Sequence, residues 1–235
     1  MPGKRKSVPD PRRLSRVSKK TLEKIGAYKF RQAGQRLTQD SVLLVDFALP
    51  LKKEDIVLDL GAGSGAMPLI FCLKSEAGKI VGVEINSGVA GAAKENVRRN
   101  NLEGRVEIMN CDWRTLKGIF PEGFFSVIVS NPPYVEKGSG RRSPSFERAL
   151  ARHESAGTLR DLVRISKYLL SKEGRLFYVY PVKRLQGLFS EFALAGIKPV
   201  RISFVHAGKG LDADVFLVEA RFQGELRVEG PVFRK

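Results

Sequence analysis

Beyond Asp55 the chain alternates short β-branched runs with longer stretches whose apolar residues recur at helical spacing. Ile56-Val57-Leu58 precedes a helical pattern from Ala66 to Leu73, Ile80-Val81-Gly82-Val83 precedes one from Gly88 to Arg99, and Val106 to Met109 opens a third unit. The series continues with Phe124 to Val129, a loop, a helix over 159–170, a strand over 175–180 and a helix over 183–194. Strands separated by helix-length segments predict βαβ units and hence a parallel sheet. Within the second helical pattern Val89, Ala92, Ala93 and Val97 share one face, with Lys94, Glu95, Arg98 and Arg99 opposite, so one side is buried and the other wet. Thr158 and Asp161 have capping-box spacing at the start of the 159–170 helix, and Gly174 is the expected close. After Pro199 the alternation Val200, Ile202, Phe204 and the run Val215 to Val218 read as two strands with no helix between them, an antiparallel pair. The fold predicted is α/β, a doubly wound, mostly parallel seven-stranded sheet with an antiparallel last strand.

Composition confines the function before any motif is considered. With 43% apolar residues in 235, the chain can bury a real core. Its net charge of +16 attracts polyanions, nucleic acid or an anionic surface first among them. Residues 1–20 carry eight basic side chains against Asp10 alone, +7 of that total, and read as a basic arm outside the core, with 21–235 as a single domain. Asp46 and Lys74 break the longest apolar runs, so no membrane span is expected, and no apolar core follows the charged N-terminus as a secretory signal requires. Cys72 and Cys111 cannot staple a fold of this size and have no CxxC partner, which suits a cytoplasmic location and excludes a cysteine-rich metal or cluster module. His153 and His206, the only histidines, stand in no metal-ligand spacing, and no metal is expected.

Chemistry concentrates where strands end. The first strand runs into Asp59-Leu60-Gly61-Ala62-Gly63-Ser64-Gly65-Ala66, a turn whose missing β-carbons let a ligand lie against the backbone. Glu84, 23 residues past Gly61 at the end of the second strand, sits where a ribose diol is held, so an adenosine-bearing cofactor is expected. Asp112, after the third strand, offers an acceptor for an adenine amino group, with Trp113 or Ile85 as an apolar wall; a helix N-cap and ordinary core are the plainer alternatives. Asn131-Pro132-Pro133-Tyr134 follows the fourth strand. The paired prolines stiffen the corner, so a side-chain amide oxygen and a main-chain carbonyl can converge on one planar amino group, and Tyr134 offers a face for stacking.

This combination resembles the class I S-adenosylmethionine-dependent methyltransferases whose fourth motif is NPPY, enzymes with a Rossmann-like fold that act on adenine N6, guanine N2 or a glutamine side-chain nitrogen. The likeness spans about Leu37 to Phe222. Gln39-Asp40-Ser41-Val42-Leu43-Leu44 is similar to the (T/V)DAVLL segment of the bacterial methyltransferases that modify adenine N6 next to the anticodon of valine tRNA, and so are Ala151-Arg152-His153-Glu154, Gly157-Thr158-Leu159 and Gly174-Arg175-Leu176. Gln39 departs from that pattern at the carboxylate end of the cofactor, and the basic arm has no counterpart in it.

The resemblance implies a role for each position. Gly61, Ala62, Gly63 and Gly65 would pass the methionine part of S-adenosylmethionine, Asp59 would face its amino group, Glu84 its ribose, and Asp112 its adenine between Ile85 and Trp113. Asn131 and the Pro132 carbonyl would hold the target amino group, Pro133 would stiffen the corner, and Tyr134 would stack on the base. Arg31, Arg36, Lys137, Arg141 and Arg142 would follow RNA phosphates. The expected reaction is methyl transfer to adenine N6 in the anticodon loop of tRNA. The rivals are a ribosomal RNA guanine-N2 or adenine-N6 enzyme, a protein-glutamine methyltransferase, a non-catalytic RNA-binding module and a nicotinamide dehydrogenase.

Overall fold

A computed structural model describes residues 30–34, 38–132 and 157–234. The basic arm, Arg36, Pro133, Tyr134, Lys137, Arg141, Arg142 and His153 lie outside the described residues. In chain order the elements are α1 (Gln39–Ala48), β1 (Ile56–Leu60), α2 (Ala66–Lys74), β2 (Lys79–Glu84), α3 (Ser87–Arg99), β3 (Val106–Asn110), a 3-10 turn (Trp113–Gly118) and β4 (Phe125–Ser130). After residue 157 come α4 (Leu159–Leu169), β5 (Leu170–Pro181), a short 3-10 turn, α5 (Leu185–Ala195), β6 (Lys198–His206), β7 (Ala213–Arg221), β8 (Arg227–Val228) and β9 (Val232–Phe233).

The strands form one sheet in the order β3-β2-β1-β4-β5-β7-β6-β8, with β9 also on β6. Every pairing from β3 across to β5 is parallel, and β7 lies antiparallel between β5 and β6. The chain winds outward from β1 in one direction through β2 and β3, then returns to the other side of β1 with β4, so the winding reverses between β1 and β4. Open α/β sheets leave a ligand crevice at that reversal, beyond the carboxyl ends of the strands.

Strand alternation sends side chains to two separate cores. Val57, Ile80, Val127, Val129, Phe177 and Val179 pack with α1, α2 and α3 on one face. Leu58, Val81, Ile128, Leu176 and Tyr178 pack with α4, α5 and the 3-10 turn on the other. Cys72 packs at the margin of the first core, and burial pushes its thiol pKa up, as a structural cysteine requires. The capping box at α4 is present in full: the Thr158 hydroxyl accepts from the Asp161 amide and the Asp161 carboxylate accepts from the Thr158 amide.

Two sequence expectations change, and one element is new. The sheet has nine strands rather than seven, because the C-terminal pairs Arg227–Val228 and Val232–Phe233 add to β6. Two-residue strands carry no period for a pattern to reveal. Gly174 does not close a helix: α4 ends at Leu169 and Gly174 lies inside β5, where its missing β-carbon leaves room for the Leu170 side chain. Finally, residues 39–48 form a helix with Ser41 through Ala48 all buried, an element that no amphipathic stripe announced.

Candidate functional site

The carboxyl ends of β1 and β4 adjoin. Asp59 is in register with Val129, and the buried Ser130 hydroxyl donates to the Leu60 carbonyl at 2.8 Å. Gly61 therefore leaves β1, and Asn131 leaves β4, on the same edge, about one strand spacing of 4.8 Å apart.

The glycine turn is built by backbone bonds that a β-carbon would oppose. The Gly61 and Ala62 amides both donate to the Val83 carbonyl, at 3.0 and 2.9 Å, and the Gly65 amide closes back on Ala62. Gly61, Gly63 and Gly65 have φ of 87°, 55° and 83°, in the left-handed region. A β-carbon at Gly61 or Gly63 would meet no atom within 4 Å, so these glycines meet conformation, not crowding, and border open space. Glu84 fixes the turn from β2: one carboxylate oxygen accepts the Gly63 amide at 3.1 Å and the other the Asn86 amide at 2.8 Å. Asn86 in turn caps α3 through the Val89 amide.

Beneath the turn lies Asp59, with no accessible surface and neither carboxylate oxygen hydrogen-bonded to a described residue. Burial, reinforced by the charge of Glu84, pushes its pKa well above the ordinary value of 3.8. A buried acceptor pair without a donor is costly, and its place at a ligand crevice suits a cation-bearing ligand group.

Asp112 acts as the N-cap of the 3-10 turn, accepting the Arg114 amide at 2.9 Å, and pairs with the Arg114 guanidinium at 2.5 Å. Partial desolvation raises the Asp112 carboxyl and the bonds from Arg114 outweigh it, so it stays below the ordinary carboxylate range. Trp113 packs at the edge of the second core, its ring against Gly157, whose φ is 97°. Ile85 is exposed at 39% beside Glu84, an apolar side chain turned to solvent just past the end of β2.

Asn131 is held from α1. Its Nδ2 donates to Ser41 Oγ at 2.9 Å and lies 3.5 Å from Thr38 Oγ1. Gln39, the next residue after Thr38, begins the helix on this side. Neither hydroxyl stood out in the sequence, because a serine in an apolar run carries no signal of its own. The N-terminal piece 30–34 was equally unannounced. Asn96, fully buried on α3, accepts the Arg31 amide at 2.7 Å, and its own amide donates to the Arg31 and Ser64 carbonyls, both at 2.9 Å. Gln32 adds a bond to Ser64 Oγ at 2.9 Å. The signal for this contact was a single polar residue, Asn96, on the apolar side of an amphipathic helix. Among the described residues no group of His, Cys, Asp or Glu forms a metal site, and no helix is long and apolar enough to cross a membrane.

Comparison with known proteins gives the chemistry a class. Proteins named tRNA1(Val) (adenine(37)-N6)-methyltransferase are similar to this chain: one from Shewanella halifaxensis is 32% identical over 69% of this chain and 66% of its own length. Another, from Bacteroides thetaiotaomicron, is 31% identical over 73% of this chain and 71% of its own length. The fold is shared with a crystal structure described as a predicted O-methyltransferase from Agrobacterium tumefaciens, at a TM-score of 0.63 and 18% identity over 83% of this chain and 86% of that one. A family model for the methyltransferase small domain matches residues 32–189, from the segment over the glycine turn to α5, and the chain belongs to that family of methyltransferases.

Proposed function

We propose that the chain transfers a methyl group from S-adenosylmethionine to the exocyclic N6 of an adenine in the anticodon loop of a tRNA, as a cytoplasmic enzyme. The carrying observation is the juxtaposition of the Gly61–Gly65 turn and Asn131 at the adjoining ends of β1 and β4. The orphaned carboxylate of Asp59 and the open space over Gly61 and Gly63 fit the amino acid end of the cofactor. Glu84 would hold the ribose hydroxyls, and Asp112, Ile85 and Trp113 the adenine. When bound, S-adenosylmethionine supplies an electrophilic methyl on a sulfonium sulfur.

The protein's part is positional. The lone pair of an adenine amino group is delocalised into the ring and weakly nucleophilic. Asn131 Oδ1 and the Pro132 carbonyl, by accepting both N–H bonds, would localise that pair, aim it toward the glycine turn and stabilise the positive charge that develops at nitrogen as the N–C bond forms and the C–S bond breaks; the extra amino proton would then pass to water. Held geometry of this kind supplies roughly 7–11 kcal/mol of a barrier. Tyr134 would stack on the base, and RNA is favoured over duplex DNA because a loop base is already unstacked.

Two features support an RNA substrate. The net charge is +16. Exposed Arg31, Lys183, Arg184 and Lys209 lie on or near the carboxyl side of the sheet: Arg31 is tied through Asn96 to Ser64, Lys183 and Arg184 follow β5, and Lys209 follows β6. Arg36, Lys137, Arg141 and Arg142, outside the described residues, would add further phosphate contacts. Relatives of 31–32% identity named for adenine-37 of tRNA favour adenine over guanine or glutamine as acceptor. Replacing Asn131 by Ala should leave S-adenosylmethionine affinity within about threefold while turnover on tRNA falls by about 100-fold or more. Retained turnover, measured with labelled cofactor, removes Asn131 from the chemistry and overturns this reading.

A further inference from the structure

We infer that Asn96 is a positioning residue for the cofactor: it docks the segment 30–34 on the glycine turn, and that docking, rather than any contact of its own with the ligand, raises affinity for S-adenosylmethionine. The inference rests on the assignment of that turn to S-adenosylmethionine above.

A turn with glycines at 61, 63 and 65 gives up much conformational freedom when it is ordered. A ligand that needs one arrangement of it binds more tightly where the protein has ordered it beforehand. The sheet holds the first half of the turn, through the Val83 carbonyl and the Glu84 carboxylate. Ser64 is held from elsewhere: its carbonyl accepts from Asn96 Nδ2 and its hydroxyl oxygen from Gln32 Nε2, both at 2.9 Å. Ser64 is 3% exposed, so water is a poor substitute for either donor. Ala93, one turn before Asn96 on α3, stands 3.3 Å from where a β-carbon of Gly65 would lie, so the helix is pressed against the turn at this point.

The Asn96 carboxamide is fully buried and its polarity is set by main-chain partners. Oδ1 accepts the Arg31 amide at 2.7 Å, and Nδ2 donates to the carbonyls of Arg31 and Ser64 at 2.9 Å. An amide N–H can only donate and a carbonyl can only accept, so the side chain fits one way round. Arg31 thereby receives from one side chain both of the bonds that a neighbouring strand would give. Farther along the segment Gly34, with φ of 67°, lies against α3, where a β-carbon would stand 2.9 Å from Val89 Cγ2. The Val89 amide is bonded by Asn86, whose own amide donates to Glu84. The segment thus touches Ser64 inside the glycine turn and the first turn of α3 behind Glu84, two parts assigned to one cofactor. An apolar residue at 96 would continue the stripe of α3 and make none of these bonds.

Two substitutions release the segment from opposite sides. Gly34→Val sets a branched side chain against Val89 from an exposed position, and Asn96→Ala deletes the three bonds. Each should raise the Kd for S-adenosylmethionine, read by calorimetry, about 10-fold, with the Arg31 amide losing its protection from hydrogen exchange. Because both release one contact, the double variant should bind within about twofold of the weaker single variant. Losing buried bonds lowers the melting temperature of Asn96→Ala in any case, so affinity decides.

Asn96→Ala that melts lower and binds as tightly as wild type has lost a structural bond only, which overturns the inference. Losses that multiply in the double variant overturn it too. Should Asn96→Ala fail to fold, Gly34→Val decides alone, and an unchanged Kd there overturns the inference. Absence of binding by the wild-type chain overturns the cofactor assignment itself, whereas equal binding by wild type and both variants overturns only the role given to Asn96.

Discussion

Asp59 is the residue where stability and the proposed function oppose each other most directly. Its carboxyl is buried without a donor, and desolvation followed by the charge of Glu84 raises its pKa. Folding therefore takes up a proton between the unfolded pKa, near the ordinary 3.8, and the higher folded one. Stability of the ligand-free protein falls as pH rises through that window, because the native state binds more protons than the unfolded chain. Replacing Asp59 by Asn removes the penalty and should raise stability at neutral pH by about 1 kcal/mol, while weakening S-adenosylmethionine by roughly 1.5–3 kcal/mol through loss of a charge-assisted bond. Thermal melts from pH 5 to 8, with and without cofactor, check both; a less stable variant with unchanged affinity contradicts the assignment. The sequence placed Asp59, Gly61 and Glu84 correctly relative to one another because glycine turns and strand ends leave local signals. It assigned no role to Ser41, named only within the Gln39–Leu44 segment, nor to Thr38 and Asn96; their partners lie 90, 93 and 32–65 positions away.

Among the elements, α1 shows most clearly what periodicity misses. Eight consecutive residues, Ser41 to Ala48, are buried, so the apolar run has no wet face and reads equally as strand or helix. Long-range polar bonds hold it instead. The Arg201 guanidinium lies 3.9 Å from the Phe47 ring centroid, donates to the Phe47 carbonyl at 2.6 Å and pairs with Glu219 at 2.8 Å. Asp46, raised in pKa by burial against the lowering effect of Lys74, pairs with that lysine on α2. Replacing Arg201 by Leu leaves the Glu219 carboxylate, 5% exposed, facing a lost cation, and should cost about 3–5 kcal/mol in urea unfolding. A loss under 1 kcal/mol would mean that Arg221, also paired with Glu219, satisfies it alone. By contrast α3 and the start of α4 were legible outright: the first has an apolar stripe interrupted by Asn96 and the second its Thr158–Asp161 capping box. Gly174 misled because glycine marks a close approach inside a strand as readily as a helix end.

At the scale of the whole molecule, the order of strands brings the glycine turn and Asn131 together, and the net charge of +16 supports the proposed RNA substrate. The parallel alternation was legible because each βαβ unit announces itself; the two short strands at the C-terminal edge were not, since pairing there depends on β6 being free to receive them. The same reversal between β1 and β4 that places Gly61 beside Asn131 lies at the carboxyl ends of the strands, the side on which exposed Lys183, Arg184 and Lys209 follow β5 and β6. Affinity for tRNA should accordingly fall by about 10-fold or more between 50 and 200 mM salt, as counterion release requires when several phosphates are neutralised. A flat salt response in filter binding contradicts phosphate tracking by these side chains. The most direct measurement is incubation with methyl-labelled S-adenosylmethionine and unmodified total tRNA, followed by digestion and mass spectrometry of the nucleosides. Label in N6-methyladenosine, lost on replacing Asn131 by Ala, is the expected result; label in N2-methylguanosine, or in protein glutamine when cell extract is supplied, would contradict it.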